Sequence, residues 1–184
     1  MSLYSVVGCI LGAVLVSSDT VGDGLYVSRT LPSVPRIGLG TAGMGGWTEL
    51  SICDALESGF RLIDTAQAHE WYSEQALGEA LEHCWWGREL DDLTIVTKVH
   101  PRSYEPAKLL ASLEASSRAI YGKTPAGPSR PLDAVLLHAP FCWQNHCSPQ
   151  DLAFQWQDAW PALEHAQALG KVQADHTTSV NEMV

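Results

Sequence analysis

Gly59-Phe60-Arg61-Leu62-Ile63-Asp64 reads as a glycine that stops a helix, a short apolar strand and a carboxylate at the strand's end. The same grammar recurs in Thr94-Ile95-Val96-Thr97-Lys98 and in Ala134-Val135-Leu136-Leu137-His138. These strands are short apolar runs without an in-out alternation, the pattern of strands covered on both faces. Between them lie segments of helical period, so strand and helix alternate and the chain is an α/β protein with a parallel sheet. In such folds functional groups collect at the carboxyl ends of the strands. Asp64, Lys98 and His138 stand at those ends in the second, third and fourth strands.

Outward from this stretch the alternation is regular. Arg36 to Thr41 reads as the first strand, a glycine turn at 43–46 follows, and Thr48 to Glu57 is a helix with Leu50, Cys53, Ala55 and Leu56 mainly on one face. Glu74 to Cys84 is the second helix and Leu93 to Thr97 the third strand. Pro106 to Ile120 is the third helix, with proline in its first turn. Gly122 to Pro131 is a loop rich in Pro, Gly and Ser. Leu152 to Leu169 is a fourth helix stopped by Gly170, and Lys171 to Ala174 opens a fifth strand.

The chain has 184 residues, 46% hydrophobic and 17% charged, which is globular composition and enough for one sizeable core. A formal net charge of -10 without a Lys/Arg cluster argues against nucleic acid or an anionic membrane as partner, because both need a basic footprint. Val6 to Val16 is eleven uncharged residues, too short for a bilayer span of roughly 20 residues. It has the length of a signal-peptide core, so residues 1–18 read as a signal peptide, 19–30 as a linker and 31–184 as the folded part. That reading places the protein in the secretory pathway or outside the cell; a cytoplasmic protein with a buried first strand is the alternative. Of the five cysteines, Cys9 leaves with a signal peptide, and the remaining four form no CxxC pair, so no metal site is expected. Buried free thiols are the expectation for them, with a Cys142 to Cys147 disulfide conditional on export.

Pro35-Arg36-Ile37-Gly38-Leu39-Gly40-Thr41, Gly59 through Ala66, Glu74 through Gly78, Thr97-Lys98 and Leu136-Leu137-His138-Ala139-Pro140 occur in an order that resembles the aldo-keto reductases. The resemblance covers about residues 31–174. It implies a (β/α)8 barrel of the TIM type, here truncated after about the fifth strand, and reduction of a small aldehyde or ketone with NADPH, or NADH, as hydride donor. It implies catalytic roles for Asp64, Lys98 and His138. Tyr72 would protonate the developing alkoxide, Lys98 would tune the phenol, Asp64 would hold Lys98, and His138 would orient the carbonyl.

The catalytic tyrosine of the family usually follows the aspartate by five positions, where this chain has His69. The loop from Gln67 to Glu74 carries about two additional residues, which makes Tyr72 the favoured counterpart and His69 the alternative proton donor. A phenol, with an unperturbed pKa near 10, keeps its proton at neutral pH where an imidazole near 6.5 mostly does not. Trp47 is a candidate wall of the substrate pocket. The family's nicotinamide-amide contacts fall on Thr178 and Ser179, while most residues that would hold the rest of the cofactor belong to strands beyond the fifth. Two further expectations follow: a catalytically silent binding or regulatory protein on the same scaffold, and self-association through open barrel edges.

Overall fold

The computed structural model describes residues 34–143 and 146–175. The signal-peptide and linker readings and the residues Thr178 and Ser179 lie outside the described residues. The order is β1 (Leu39–Gly40), α1 (Thr48–Glu57), β2 (Leu62–Asp64), α2 (Glu74–Cys84), β3 (Thr94–Val99), α3 (Pro106–Tyr121), β4 (Leu132–Leu137), α4 (Trp156–Ala168) and β5 (Val172–Asp175). The strands form one sheet in the order β1-β2-β3-β4-β5, and every neighbouring pair is parallel. Strand order equal to chain order means that each crossover advances the same way. No switch point of the doubly wound kind arises, and the helices pack neighbour against neighbour along the sheet, as in a barrel.

The turn that decides the fold works as its glycine requires. Gly59 has φ 95°, a left-handed conformation that closes α1 and sends the Phe60 N–H back to the Ala55 carbonyl at 2.9 Å. Two residues later the chain enters β2, whose Leu62 and Ile63 are buried. The core lies between sheet and helices and is built from Ile52 and Leu56 of α1, Leu77 and Leu81 of α2, Ile95, Leu109 and Leu113, Val135 and Leu163. Helix α2 comes so close to α3 at Gly78 that a Cβ there would lie 2.1 Å from the Ala119 carbonyl oxygen. Glycine is the residue that this approach admits.

At the amino end of β4, Asp133 is buried and accepts from the Ile95 N–H at 2.9 Å and the Tyr121 hydroxyl at 3.2 Å. Arg130 and Gln173 donate to its other oxygen at 3.3 and 3.2 Å. Burial pushes its carboxyl pKa up, against the pull of these donors. The polar node joins β3, α3, β4 and β5 at the end of the sheet opposite the catalytic candidates.

Two element starts or extents differ most from the sequence expectation. Strand β1 is paired only at Leu39 and Gly40, since it lies at the edge and Ile37 is 72% exposed. Helix α4 starts at Trp156 instead of Leu152, because the Asp158 carboxylate accepts the Gln155 N–H at 2.8 Å and fixes the start there. Residues Asp151–Ala153 form a separate 3-10 turn. The expectation of free thiols is overturned: Cys53 bridges to Cys84 and Cys142 to Cys147. Cys53 and Cys84 face each other where α1 packs on α2, with Cα atoms 5.5 Å apart, inside the range a disulfide accepts.

Candidate active site

Ladder registry brings the reactive side chains together. Asp64 ends β2 and pairs with Gly40 and Val96; Lys98 sits near the end of β3, opposite Leu136; His138 follows β4 at once, its N–H bonded to the Val99 carbonyl at 3.0 Å. Lys98 Nζ donates to Asp64 Oδ1 at 2.5 Å and to the Thr65 carbonyl at 2.9 Å. Two of the three ammonium protons are thereby directed. Both side chains are mostly sheltered, 12% and 18% exposed. The same ammonium lies 5.0 Å from the centroid of the Tyr72 ring, within cation–π range. The His138 ring meets Tyr72 edge-on at 5.7 Å.

Tyr72 comes from the loop after β2, and the loop is well held. Its N–H and that of Trp71 both bond to the Ala68 carbonyl at 2.9 Å, and Ser73 caps α2 by accepting from the Ala76 N–H. Gln67 ties the loop's start to α3 by donating to Ser112 and Ser116 at 3.1 and 3.0 Å, while its carbonyl accepts the His100 N–H. Glu74, the first residue of α2, accepts from Thr97 at 2.6 Å and from Ser116 at 2.9 Å, fastening α2 under Lys98. Burial raises its pKa, and these two hydrogen bonds oppose the rise.

The structure brings Asp64, Lys98, Tyr72 and His138 into one group. His69 is not part of it: its side chain is 75% exposed and its nearest charged partner is Glu70 at 3.9 Å. Trp47 lies on a 3-10 turn after β1, is 71% exposed, and is not among the rings that meet His138. Trp143 holds that position instead, 5.1 Å from His138 and 4.3 Å from His100.

A second cluster, which the sequence did not reveal, borders the first. Arg102 donates to both oxygens of Glu70 at 2.8 Å, and His146 Nδ1 lies 2.9 Å from Glu70 Oε1. His100 Nε2 is 3.2 Å from the same oxygen, outside hydrogen-bond geometry, while its Nδ1 accepts the Arg102 N–H at 3.0 Å. Burial works to raise the Glu70 pKa, but its own backbone hydrogen bond, Arg102 and His100 outweigh it and hold the carboxyl below its usual range. The one available signal was spacing: His100 stands two residues beyond Lys98, one full pleat along the same strand direction.

Both imidazoles, His100 buried and His138 partly so, resist protonation. Burial, then the Lys98 charge, pushes His138 down to about 4, and burial with the Arg102 charge does the same for His100. Their folded pKa values lie below the unfolded value near 6.5, so between these limits the unfolded chain binds more protons and stability rises with pH. Stability should therefore be lost as pH falls from 6.5 to 4. Discounted for partial solvent contact, the loss is on the order of 1–2 kcal/mol per histidine. Urea denaturation across this window measures it, and His138→Gln should flatten the slope; an unchanged slope would refute the assignment.

The Aldo/keto reductase family model matches residues 36–177. The chain is 30% identical over 158 residues to NADPH-dependent codeinone reductase 1-4 of Papaver somniferum, covering 77% of this chain and 45% of that protein. It is 34% identical over 109 residues to the methylglyoxal reductase DkgB of Yersinia pestis, covering 59% and 37%. The fold superposes on an aldose reductase from Schistosoma japonicum with a TM-score of 0.60 at 24% identity, covering 75% of this chain and 47% of that one. A Bombyx mori aldo-keto reductase in complex with NADP gives 0.58 at 21% identity, over 75% and 44%. The chain thus spans a little under half the length of the curated relatives it matches.

Proposed function

We propose, since the chain belongs to the aldo/keto reductase family, that it contributes to the reduction of an aldehyde or ketone to the alcohol with a nicotinamide hydride donor, NADPH in preference to NADH. One observation carries the reading: an ammonium anchored by a carboxylate lies against the face of a tyrosine whose ring edge meets a neutral histidine. That is a proton-delivery group beside a hydrogen-bond donor, which is what a carbonyl oxygen needs while it gains negative charge.

In this reading the His138 imidazole, uncharged at neutral pH, donates a hydrogen bond to the carbonyl oxygen and fixes its position. The Tyr72 hydroxyl passes its proton to that oxygen, and Lys98 stabilises the phenolate left behind until solvent returns a proton. Asp64 keeps Lys98 aimed. Bound NADPH would supply the hydride to the carbonyl carbon. The chain's described residues fit the carbonyl end of such a pair, because the His138 ring lies against Tyr72, whose ring also faces Lys98, and the mouth beside it is walled by Trp143. Thr178 and Ser179 are the proposed nicotinamide contacts, on the family resemblance. The two disulfides favour a secretory location for the proposed reaction, since such bonds persist in oxidising compartments.

The test is a titration of the whole chain with NADPH followed by nicotinamide fluorescence. Saturable binding with a dissociation constant below about 0.1 mM supports the reading, within the ordinary range for such ligands. Absence of binding at millimolar NADPH overturns it for this chain and leaves a binding or regulatory protein on the same scaffold.

A further inference from the structure

His138 is the proposed carbonyl-oxygen donor, yet no protein hydrogen bond orients its ring through Nδ1, which is buried without a partner. Histidines that must present one nitrogen to a reaction are usually held through the other. Here packing does that work. The ring is met by Tyr72 at 5.7 Å and a 75° interplanar angle, by Trp143 at 5.1 Å and 67°, and by His100 at 6.5 Å and 84°. Tyr72 comes from the well-held loop after β2, and His100 directly follows β3. Trp143 follows His138 by five residues and lies outside helix and strand.

One internal bridge and one external ion pair fix the segment that carries Trp143. Cys142, directly before Trp143, is bridged to Cys147, with Cα atoms 6.3 Å apart. His146, directly before Cys147, lies on Glu70, which the bidentate Arg102 holds. Trp71 packs on both Trp143 and His146, at 5.4 and 5.5 Å between centroids. The staple is therefore fastened to the loop that carries Tyr72, and Trp143 is pinned between that loop and the catalytic imidazole.

We propose that Trp143 is the positioning residue for His138, and that the Cys142–Cys147 disulfide holds it in place, which makes the donor imidazole sensitive to thiol reductants. This inference rests on the carbonyl-donor reading of His138. In the redox step a dithiol gives two electrons and two protons; the Cys142–Cys147 bond breaks to two thiols and the dithiol becomes a disulfide. Trp143 then loses one of its two ties, and solvent reaches the His138 ring. The charged and titratable groups facing that ring are Lys98 from β3, His100 after β3, Glu70 from the loop after β2, and the Tyr72 phenol.

The experiment is a titration of the histidine rings by nitrogen-edited NMR on the whole chain, with His138 assigned through His138→Gln. It needs neither cofactor nor turnover, so a protein that fails to bind NADPH but shows the shifts below refutes the reaction and not the positioning. In Trp143→Ala the proton affinity of His138 should rise at least about tenfold from the wild-type midpoint near 4 toward the free value. Trp143→Phe should retain the wild-type midpoint. Cys142→Ser with Cys147→Ser, and wild type treated with a dithiol, should each raise the affinity at least about threefold. Cys53→Ser with Cys84→Ser should not. Trp143→Leu serves if the alanine variant loses its fold by amide dispersion. Either a Trp143 truncation or a Cys142/Cys147 variant that titrates like wild type overturns the proposal.

Discussion

On the proposed reaction, Tyr72→Phe is expected to lower kcat for carbonyl reduction by roughly 10²- to 10⁴-fold, the contribution of a positioned general acid, and to leave NADPH affinity within about twofold, because the phenol is proposed to act on the carbonyl oxygen and not on the cofactor. The substitution removes one oxygen and keeps the ring that packs against Lys98 and His138. The folded structure should therefore persist, and steady-state kinetics with a small aldehyde report the loss of the proton alone. His69→Ala is the control. With its side chain in solvent, its removal should change kcat by less than about threefold. An active Tyr72→Phe beside a dead His69→Ala would reverse the assignment of the donor.

Lys98→Met removes the charge proposed to stabilise the phenolate and is expected to cost about 10²- to 10³-fold in kcat, the range for loss of one group aimed at developing charge. It also strands the Asp64 carboxylate, 18% exposed, without its 2.5 Å partner. The stability cost is roughly 1–3 kcal/mol, less than for a fully buried pair because both groups keep some solvent. Asp64→Asn separates the two effects. It preserves a hydrogen-bond acceptor for Lys98 and the shape of the site, so its loss of kcat should be smaller than that of Lys98→Met while the fold is less perturbed. Equal activity of Lys98→Met and wild type would remove Lys98 from the chemistry altogether. Kinetics and urea melts on the three proteins decide among these outcomes.

The architecture was legible in the sequence because its signals are local. Gly59, the helix-period runs and the apolar strands each carry their own physical cause, and helices Thr48–Glu57 and Glu74–Cys84 have the boundaries read from the sequence. Asp64, Lys98 and His138 were legible for a related reason: registry of parallel strands turns position along each strand into proximity. The Glu70 cluster was not legible. Glu70, Arg102 and His146 belong to three different loops, and nothing local marks side chains that meet only when the loops are placed. The Cys53–Cys84 disulfide was missed for the same reason. Cys53 and Cys84 are thirty-one residues apart and become neighbours only through the packing of α1 on α2. Trp47 shows the converse: a residue in a plausible position along the chain whose side chain turns to solvent.

The Asp133 node at the amino end of the sheet has a consequence for how this scaffold can change. It joins four elements through one buried carboxylate, a full strand length from Tyr72 and His138. Cohesion is concentrated at one mouth of the sheet and reactivity at the other, with β3 and β4 running between them. Variation around Trp143 can therefore reshape the proposed carbonyl site without drawing on the bonds that keep the strands in register, and sequence drift near Asp133 lowers the melting temperature before it reaches that site.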